Sequence, residues 1–205
     1  MRRLFLGLLV LALAIACGDS SGPATPPPRP TAQLHFVVQD PNAPPLLTDS
    51  ASFYAKVGEN REVRMYYQGL APGDTGEEFL RFEVPNEGLY RKPDGSLFRP
   101  GDSILVIVRV PNPTKFLFEF APSGLQFNPN KPARLKVEYG HSDHDFDNDG
   151  VEGDPDDVEI ESDSIDVWHR QPPDTLWFRL GALKLESADE LYAEILHFTD
   201  HAIAW

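Results

Sequence analysis

The 205-residue chain contains a single cysteine, Cys17. No cysteine follows it, so the rest of the chain has none for a disulfide, a thiolate metal site or a nucleophilic thiol. Its stability must therefore come from an ordinary hydrophobic core. About 170 residues follow the N-terminal region, which is enough for one domain but hardly for two independent ones.

The chain also lacks an apolar run long enough to span a bilayer. Its N-terminal apolar stretch, Leu4 to Ile15, has about 12 residues, whereas a membrane-spanning helix needs about 20. Arg2 and Arg3 precede the stretch, and Ala14-Ile15-Ala16-Cys17 supplies the small residues of a lipoprotein cleavage site. We expect residues 1–16 to be a lipoprotein signal peptide and Cys17 to be the lipidated first residue of the mature protein. An ordinary secretory signal with an incidental cysteine is the alternative.

Localisation follows from the same N-terminal region. Gly18, rather than an aspartate, follows Cys17, which is typical of lipoproteins exported to the outer membrane of diderm bacteria. We therefore expect the protein to be lipid-anchored in the bacterial cell envelope, at the outer membrane.

Positive charge is scarce. Loss of residues 1–16 takes the basic residues from 18 to 16 against 32 acidic ones, so the mature chain has a formal charge of −16. A surface this acidic repels phosphate backbones and attracts cations. We expect no nucleic-acid partner. The expected partner is an envelope protein or a glycan.

Helix signals are weak along the whole chain. Residues 17–32 carry the lipidated cysteine and a Pro/Gly/Ser-rich tether, which cannot bury apolar surface. From residue 33 to 205, short runs of alternating or β-branched residues are separated by Pro, Gly, Asn and Asp, which predicts an all-β, antiparallel β-sandwich. The predicted strands are Gln33–Val38, Ser52–Val57, Glu62–Tyr67, Glu78–Val84, Ser103–Val110, Phe116–Phe120, Ala133–Tyr139, Ser164–His169, Thr175–Leu180, Ala182–Glu186, Leu191–His197 and His201–Trp205.

Two segments carry a family resemblance. The segment from Pro122 to Phe127, PSGLQF, followed by Pro132-Ala-Arg-Leu135, resembles the P-x-G-L-x-F … P-x-x-L signature of the ZU-type domain of zonula occludens proteins, netrin receptors and ankyrins. The terminal HFTDHAIAW, from His197, is similar to the H-F-S-x-Y-A strand pair that closes that domain. Order and spacing agree over roughly residues 79–205. The resemblance implies an antiparallel β-sandwich that serves mainly as a docking module.

The resemblance also suggests a self-cleavage reaction. Some relatives cut their own chain at a His-Phe-Ser site, and the matching residues here are His197, Phe198 and Thr199. A threonine hydroxyl can act as a nucleophile when a base and a strained peptide assist it. The alternative is a strand edge with Phe198 buried and Thr199 in a tight connection. We expect an intact chain, because threonine is more hindered than serine.

The sharpest chemical motif lies in an acidic insertion, residues 140–163. It has the D-x-D-x-D-G spacing of a calcium loop, with a glycine at the sharp turn of position six. The expected ligands, at positions one, three, five, seven (by its backbone carbonyl) and twelve, are Asp145, Asp147, Asp149, Val151 and Asp156. No long amphipathic helix flanks the loop, so a free-standing calcium loop is predicted rather than an EF-hand. The alternative is a solvated acidic loop that binds nothing.

No enzyme motif is present in the sequence: there is no phosphate loop, nucleotide fingerprint, G-x-S-x-G elbow or H-E-x-x-H helix. We therefore expect a non-catalytic binding or scaffolding module with a calcium loop. One alternative is a calcium-dependent carbohydrate-binding or adhesion module, for which Tyr66, Tyr67, Trp168 and Trp177 would need to form an exposed platform. An enzyme whose site is assembled only in the fold is another.

Overall fold

The structure is a computed structural model that describes residues 26–205. The predicted signal peptide, Cys17 and most of the tether lie outside the described residues. Among residues 26–205, no helix is long and apolar enough to cross a membrane.

The described residues form fourteen β-strands, one short α-helix and a few single helical turns. The strands are β1 (Arg29–Pro30), β2 (Ser50–Lys56), β3 (Arg61–Gln68), β4 (Thr75–Val84), β5 (Leu89–Arg91), β6 (Ser103–Arg109), β7 (Leu117–Ala121), β8 (Gln126–Phe127), β9 (Ala133–Glu138), β10 (Asp166–Arg170), β11 (Leu176–Arg179), β12 (Leu183–Leu185), β13 (Glu190–Ile195) and β14 (Asp200–Ala204). The helix α1 (Pro155–Glu159) continues into a π-helical turn over Ile160–Ser164. The all-β class predicted from the sequence is confirmed.

Two antiparallel sheets make up the sandwich. The larger has the order β1-β11-β10-β14-β7-β6-β2, and the smaller has the order β12-β13-β9-β4-β3. A two-stranded pair, β5 and β8, lies apart from both. The chain crosses from the smaller sheet to the larger between β13 and β14, so residues 196–199 form a corner between the sheets.

The main core lies between the sheets and is rich in phenylalanine. Alternate strand residues point inward, as the period of two requires, and most are fully buried. Phe82 and Phe198 lie near its centre, with ring centroids 5.5 Å apart. The aromatic members are Tyr67, Phe79, Phe82, Phe116, Phe118, Phe120, Phe127, Tyr139, Phe146 and Phe198.

A second, smaller core lies on the opposite face of the larger sheet. Trp168 and Trp177 are each about 1% exposed there, and Leu34 packs with them. The indole N–H of Trp177 donates a hydrogen bond to the Thr31 hydroxyl at 3.0 Å. The ordered sheet therefore begins at Arg29, four residues before the predicted domain boundary at residue 33, because residues 29–36 cover this apolar face.

Candidate metal centre

The acidic insertion brings three of the predicted ligands together. One carboxylate oxygen from each of Asp145, Asp147 and Asp149 lies within 4.8 Å of the others. Two oxygens bound to one calcium ion at 2.3–2.6 Å are at most about 5 Å apart, so this spacing fits a single ion. No other His, Cys, Asp or Glu trio in residues 26–205 has ligand atoms this close.

Backbone N–H groups hold these carboxylates in place. The two Asp145 oxygens accept hydrogen bonds from the N–H of Asp149 at 3.0 Å and of Gly150 at 2.9 Å. Asp147 also accepts from the Asp149 N–H, and Asp149 accepts from the Val151 N–H. The chain turns through Gly150 at φ +92°, a backbone conformation that residues other than glycine rarely adopt. The glycine at position six therefore has the role that the spacing predicts.

Burial and neighbouring carboxylates disfavour the charged form of Asp147 in the cluster. Burial and the charges of Asp149, Asp154 and Asp157 raise the pKa of Asp147, although a hydrogen bond from the Asp149 N–H partly offsets them. Bringing like charges this close costs free energy unless a cation balances them. A divalent cation bound here would remove that cost.

Asp156, the ligand predicted at position twelve, lies outside the cluster. It is exposed in the first turn of α1, and its N–H donates to the Asp154 carboxylate, which caps the helix. Its neighbour Asp157 points into the loop instead and is about 1% exposed. The backbone of Val151 belongs to the loop, but its side chain is exposed.

Asp157 holds the loop closed. Its Oδ1 accepts hydrogen bonds from the N–H of Phe146 at 2.6 Å and of Asp147 at 3.1 Å, and its Oδ2 accepts from the Gly153 N–H at 2.8 Å. Burial disfavours the charged carboxylate, but these N–H donors outweigh it, so the pKa of Asp157 is lowered. The spacing of the calcium-loop motif does not single out Asp157. The Asp154-Pro155 pair, a capping residue followed by proline at the first helical position, is the signal that would have placed a helix there.

The insertion is tied to the domain core at both ends. Phe146, between two of the clustered aspartates, is about 2% exposed and packs edge-on against Trp205 at 5.6 Å. At the other end, the Tyr139 hydroxyl donates to Glu161 at 3.0 Å, and the Lys184 ammonium donates to the Ser162 carbonyl at 2.7 Å. The carboxylate cluster is therefore attached to the sandwich.

The four aromatic residues considered for a sugar platform do not form one. Trp168 and Trp177 are buried in the smaller core, and Tyr67 is buried in the larger. Of the four, only Tyr66 is partly exposed. A flat aromatic surface from these residues is therefore absent.

The corner between β13 and β14 contains the three residues that match the self-cleavage site: His197, Phe198 and Thr199. Phe198 is fully buried and Thr199 is about 4% exposed. The Thr199 hydroxyl donates to the Asp200 carbonyl at 3.3 Å. Within the described chain, no hydrogen bond links it to His197. This geometry agrees with a buried, tight connection.

Comparison with known proteins finds no matching family model, curated protein or solved structure.

Proposed function

We propose that this chain is a lipid-anchored protein of the bacterial cell envelope, a non-catalytic binding or scaffolding module whose acidic loop binds one calcium ion. The observation that carries the calcium proposal is the convergence of Asp145, Asp147 and Asp149 on one point, with the turn at Gly150. Calcium suits this donor set because every side-chain ligand is oxygen and because calcium accepts irregular coordination. Water and the Val151 carbonyl would complete its shell of six to eight oxygens.

A structural role for the ion is supported by the position of Phe146. This residue lies between two ligands and is buried in the main core, so an ion that fixes the loop also fixes a core side chain. The proposal of a non-catalytic role rests on the sequence, in which we find no phosphate loop, nucleotide fingerprint, G-x-S-x-G elbow or H-E-x-x-H helix. The unidentified partner is an envelope protein or a glycan.

Titration calorimetry tests the ion site on the unacylated mature chain, residues 17–205 with Cys17→Ser. We expect about one calcium site, with a dissociation constant of ~0.1 to 1 mM as in extracellular modules. Asp147→Ala combined with Asp149→Ala should abolish the heat. The matched control, Glu159→Ala with Asp163→Ala, removes two exposed charges from the same insertion and should retain binding. Equal heats from the wild type and the Asp147/Asp149 variant would refute the site.

Membrane fractionation tests the anchor separately. Cys17→Ser in the full-length chain should move the protein to the soluble fraction or leave an unprocessed precursor. Ser21→Ala, in the tether, should stay in the membrane fraction. Stable retention requires more than one acyl chain at ~0.8 kcal/mol per buried methylene, as a lipidated N-terminal cysteine provides. Normal processing and unchanged fractionation of Cys17→Ser would disprove the lipid anchor.

A further inference from the structure

Three histidines meet on the inner face of the larger sheet, at the corner between the two sheets. His169 on β10 pairs in register with His201 on β14, and their ring centroids are 6.1 Å apart. His197, in the corner itself, lies 5.5 Å from His169. His201 is about 2% exposed, while the other two are partly buried. The sequence separates His169 from the other two by 28 residues or more, so only the fold shows the cluster.

One hydrogen bond fixes the tautomer of His201. Its Nδ1 lies 3.1 Å from the Thr199 carbonyl, which can only accept, so Nδ1 carries the proton. The Nε2 of a neutral His201 is then unprotonated. This bond also closes the turn that carries the chain from the corner into β14.

The surroundings of the cluster are apolar. From β7, Phe120 meets His201 edge-on at 5.1 Å, and Phe118 is its register partner. From β11, Phe178 lies 5.7 Å from His169. Phe198, next to His197 in the chain, packs against Phe120 at 5.3 Å. An imidazolium in this environment would lose most of its hydration.

The neighbouring charged groups do not offset that loss. Successive strand residues face opposite sides, so Arg170 and Asp200 point away from the cluster, where they pair with each other at 2.7 Å. Glu119 of β7 is the register partner of Asp200 and shares that far face.

The remaining neighbours provide no counter-ion either. Arg179 of β11 also lies on the far face, bound to Asp166. From the β5–β8 pair, Gln126 forms an isolated bridge with His197, and the register partner of Gln126 on its other side is Arg91, itself a cation. Within the described chain, no carboxylate is therefore placed to stabilise a charged histidine in the cluster.

We propose that His169, His197 and His201 form an acid-operated latch, which keeps the corner between β13 and β14 closed while all three rings are neutral and opens it when they are protonated. Burial and the charge of His197 lower the pKa of His169 to about 4. Burial and the charges of His169 and His197 lower the pKa of His201 to about 3, although the hydrogen bond to Thr199 partly offsets them. Burial also lowers the pKa of His197. The unfolded chain, with histidine pKa values near 6.5, binds protons more readily than the folded one. The stability of the fold is therefore fully present above about pH 6.5 and falls as the pH drops towards 4.

Urea unfolding of the unacylated mature chain, with EDTA present throughout, measures the effect. From pH 7 to pH 5 the unfolding constant of the wild type should rise about 20-fold for each histidine that titrates only in the unfolded state. His169→Gln with His201→Asn should lose most of that rise, because asparagine can still donate to the Thr199 carbonyl but cannot be charged. His35→Gln, at an exposed histidine, should keep the wild-type rise.

Two further measurements keep the proposal testable if the double variant fails to fold. His197→Gln, at a partly exposed position, should show a smaller rise than the wild type, because burial lowers the pKa of His197 in the folded chain. Amide-exchange protection, corrected for intrinsic rates, should fall between pH 7 and pH 5 more at residues 196–201 than in β2 and β6. Three results would each overturn the latch. The first is a rise of less than threefold in the unfolding constant of the wild type. The second is an unchanged rise in the His169/His201 variant or in His197→Gln, and the third is an equal loss of amide protection in all strands.

Discussion

Asp157 accepts a hydrogen bond at 2.6 Å from the backbone N–H of Phe146, eleven residues earlier in the chain. The contact joins the end of the acidic loop to the residue that inserts into the main core. Its geometry makes Asp157 a structural residue of the insertion, distinct from the three clustered carboxylates that we propose as calcium ligands.

Asp157→Asn should destabilise the domain by about 1 to 3 kcal/mol, because an amide replaces one of two buried acceptor oxygens with a donor that faces N–H groups. Urea unfolding at pH 7 measures the loss. Asp156→Asn, at the exposed neighbour, should change stability by less than about 0.5 kcal/mol. Similar small effects for both variants would contradict the role assigned to Asp157. The lowered pKa of Asp157 adds stability that is present above about pH 4 and is lost as the pH falls further.

Calcium should stabilise the whole domain rather than the insertion alone, because Phe146 and Trp205 connect the loop to the core. At a calcium concentration 100 times the dissociation constant, the gain in unfolding free energy should be about 2.7 kcal/mol. Tryptophan fluorescence and far-UV circular dichroism should report one urea transition that calcium moves to higher concentration. A transition of the sheets that does not respond to calcium would show that the loop folds independently.

Lys136 should be a sensitive site for substitution. Its ammonium lies 2.5 Å from Glu138, 2.7 Å from Glu190 and 3.3 Å from Glu78, and its side chain is only 11% exposed. Lys136→Met leaves three carboxylates without their shared cation and should cost about 3 to 5 kcal/mol at pH 7. Lys92→Met, which removes a more exposed pair with Asp102, should cost less than about 1 kcal/mol.

The cost of Lys136→Met should shrink as the pH falls. In the wild type, the pKa values of Glu78 and Glu190 are both lowered, because hydrogen bonds outweigh the effect of burial, which raises them. Glu78 accepts these bonds from Arg81 and Lys136. Glu190 accepts them from Lys136 and Tyr192. Their contribution is present above the unfolded pKa of about 4.3 and is lost below it. Urea unfolding at pH 4 should therefore show a smaller difference between variant and wild type than at pH 7. An equal difference at both pH values would indicate a packing effect only.

Thr199→Ala should leave the processing of the chain unchanged. The hydroxyl is buried and hydrogen-bonded to the Asp200 carbonyl, away from any base contact with His197 in the described chain. Mass spectrometry of denatured wild-type protein should give an intact C-terminus. A peptide beginning at Thr199 in the wild type and missing from Thr199→Ala would establish self-cleavage.

The strands that carry long alternating patterns could be predicted from the sequence. β2, β6, β9 and β13 lie within two residues of their predicted bounds, because one buried face imposes the period of two. β1, β5 and β8 were missed, since they have only two or three residues and their pairing depends on distant partners. Gln33–Val38 was predicted as a strand, but it begins in a 3₁₀ turn, Thr31–Gln33, and forms only isolated bridges.

The metal site could be predicted in part. Spacing alone identified the three aspartates that converge, because they alternate within five residues of one tight turn. Counting also places Asp156 at position twelve, but α1 turns Asp156 outward, away from the cluster, and turns its neighbour Asp157 inward to accept backbone hydrogen bonds. The histidine cluster left no local pattern, because strand pairing assembles it from positions far apart in the chain.

With the proposed lipid anchor at Cys17, the pairing of β1 with β11 would limit how far this domain can lie from a membrane. Arg29 is the twelfth residue after Cys17, and twelve fully extended residues reach about 40 Å. With acyl chains at Cys17, the sandwich would therefore stay within about 40 Å of the lipid surface, measured to Arg29. Any force on the tether would enter the larger sheet at its edge strand, beside Trp177, on the side opposite the main core.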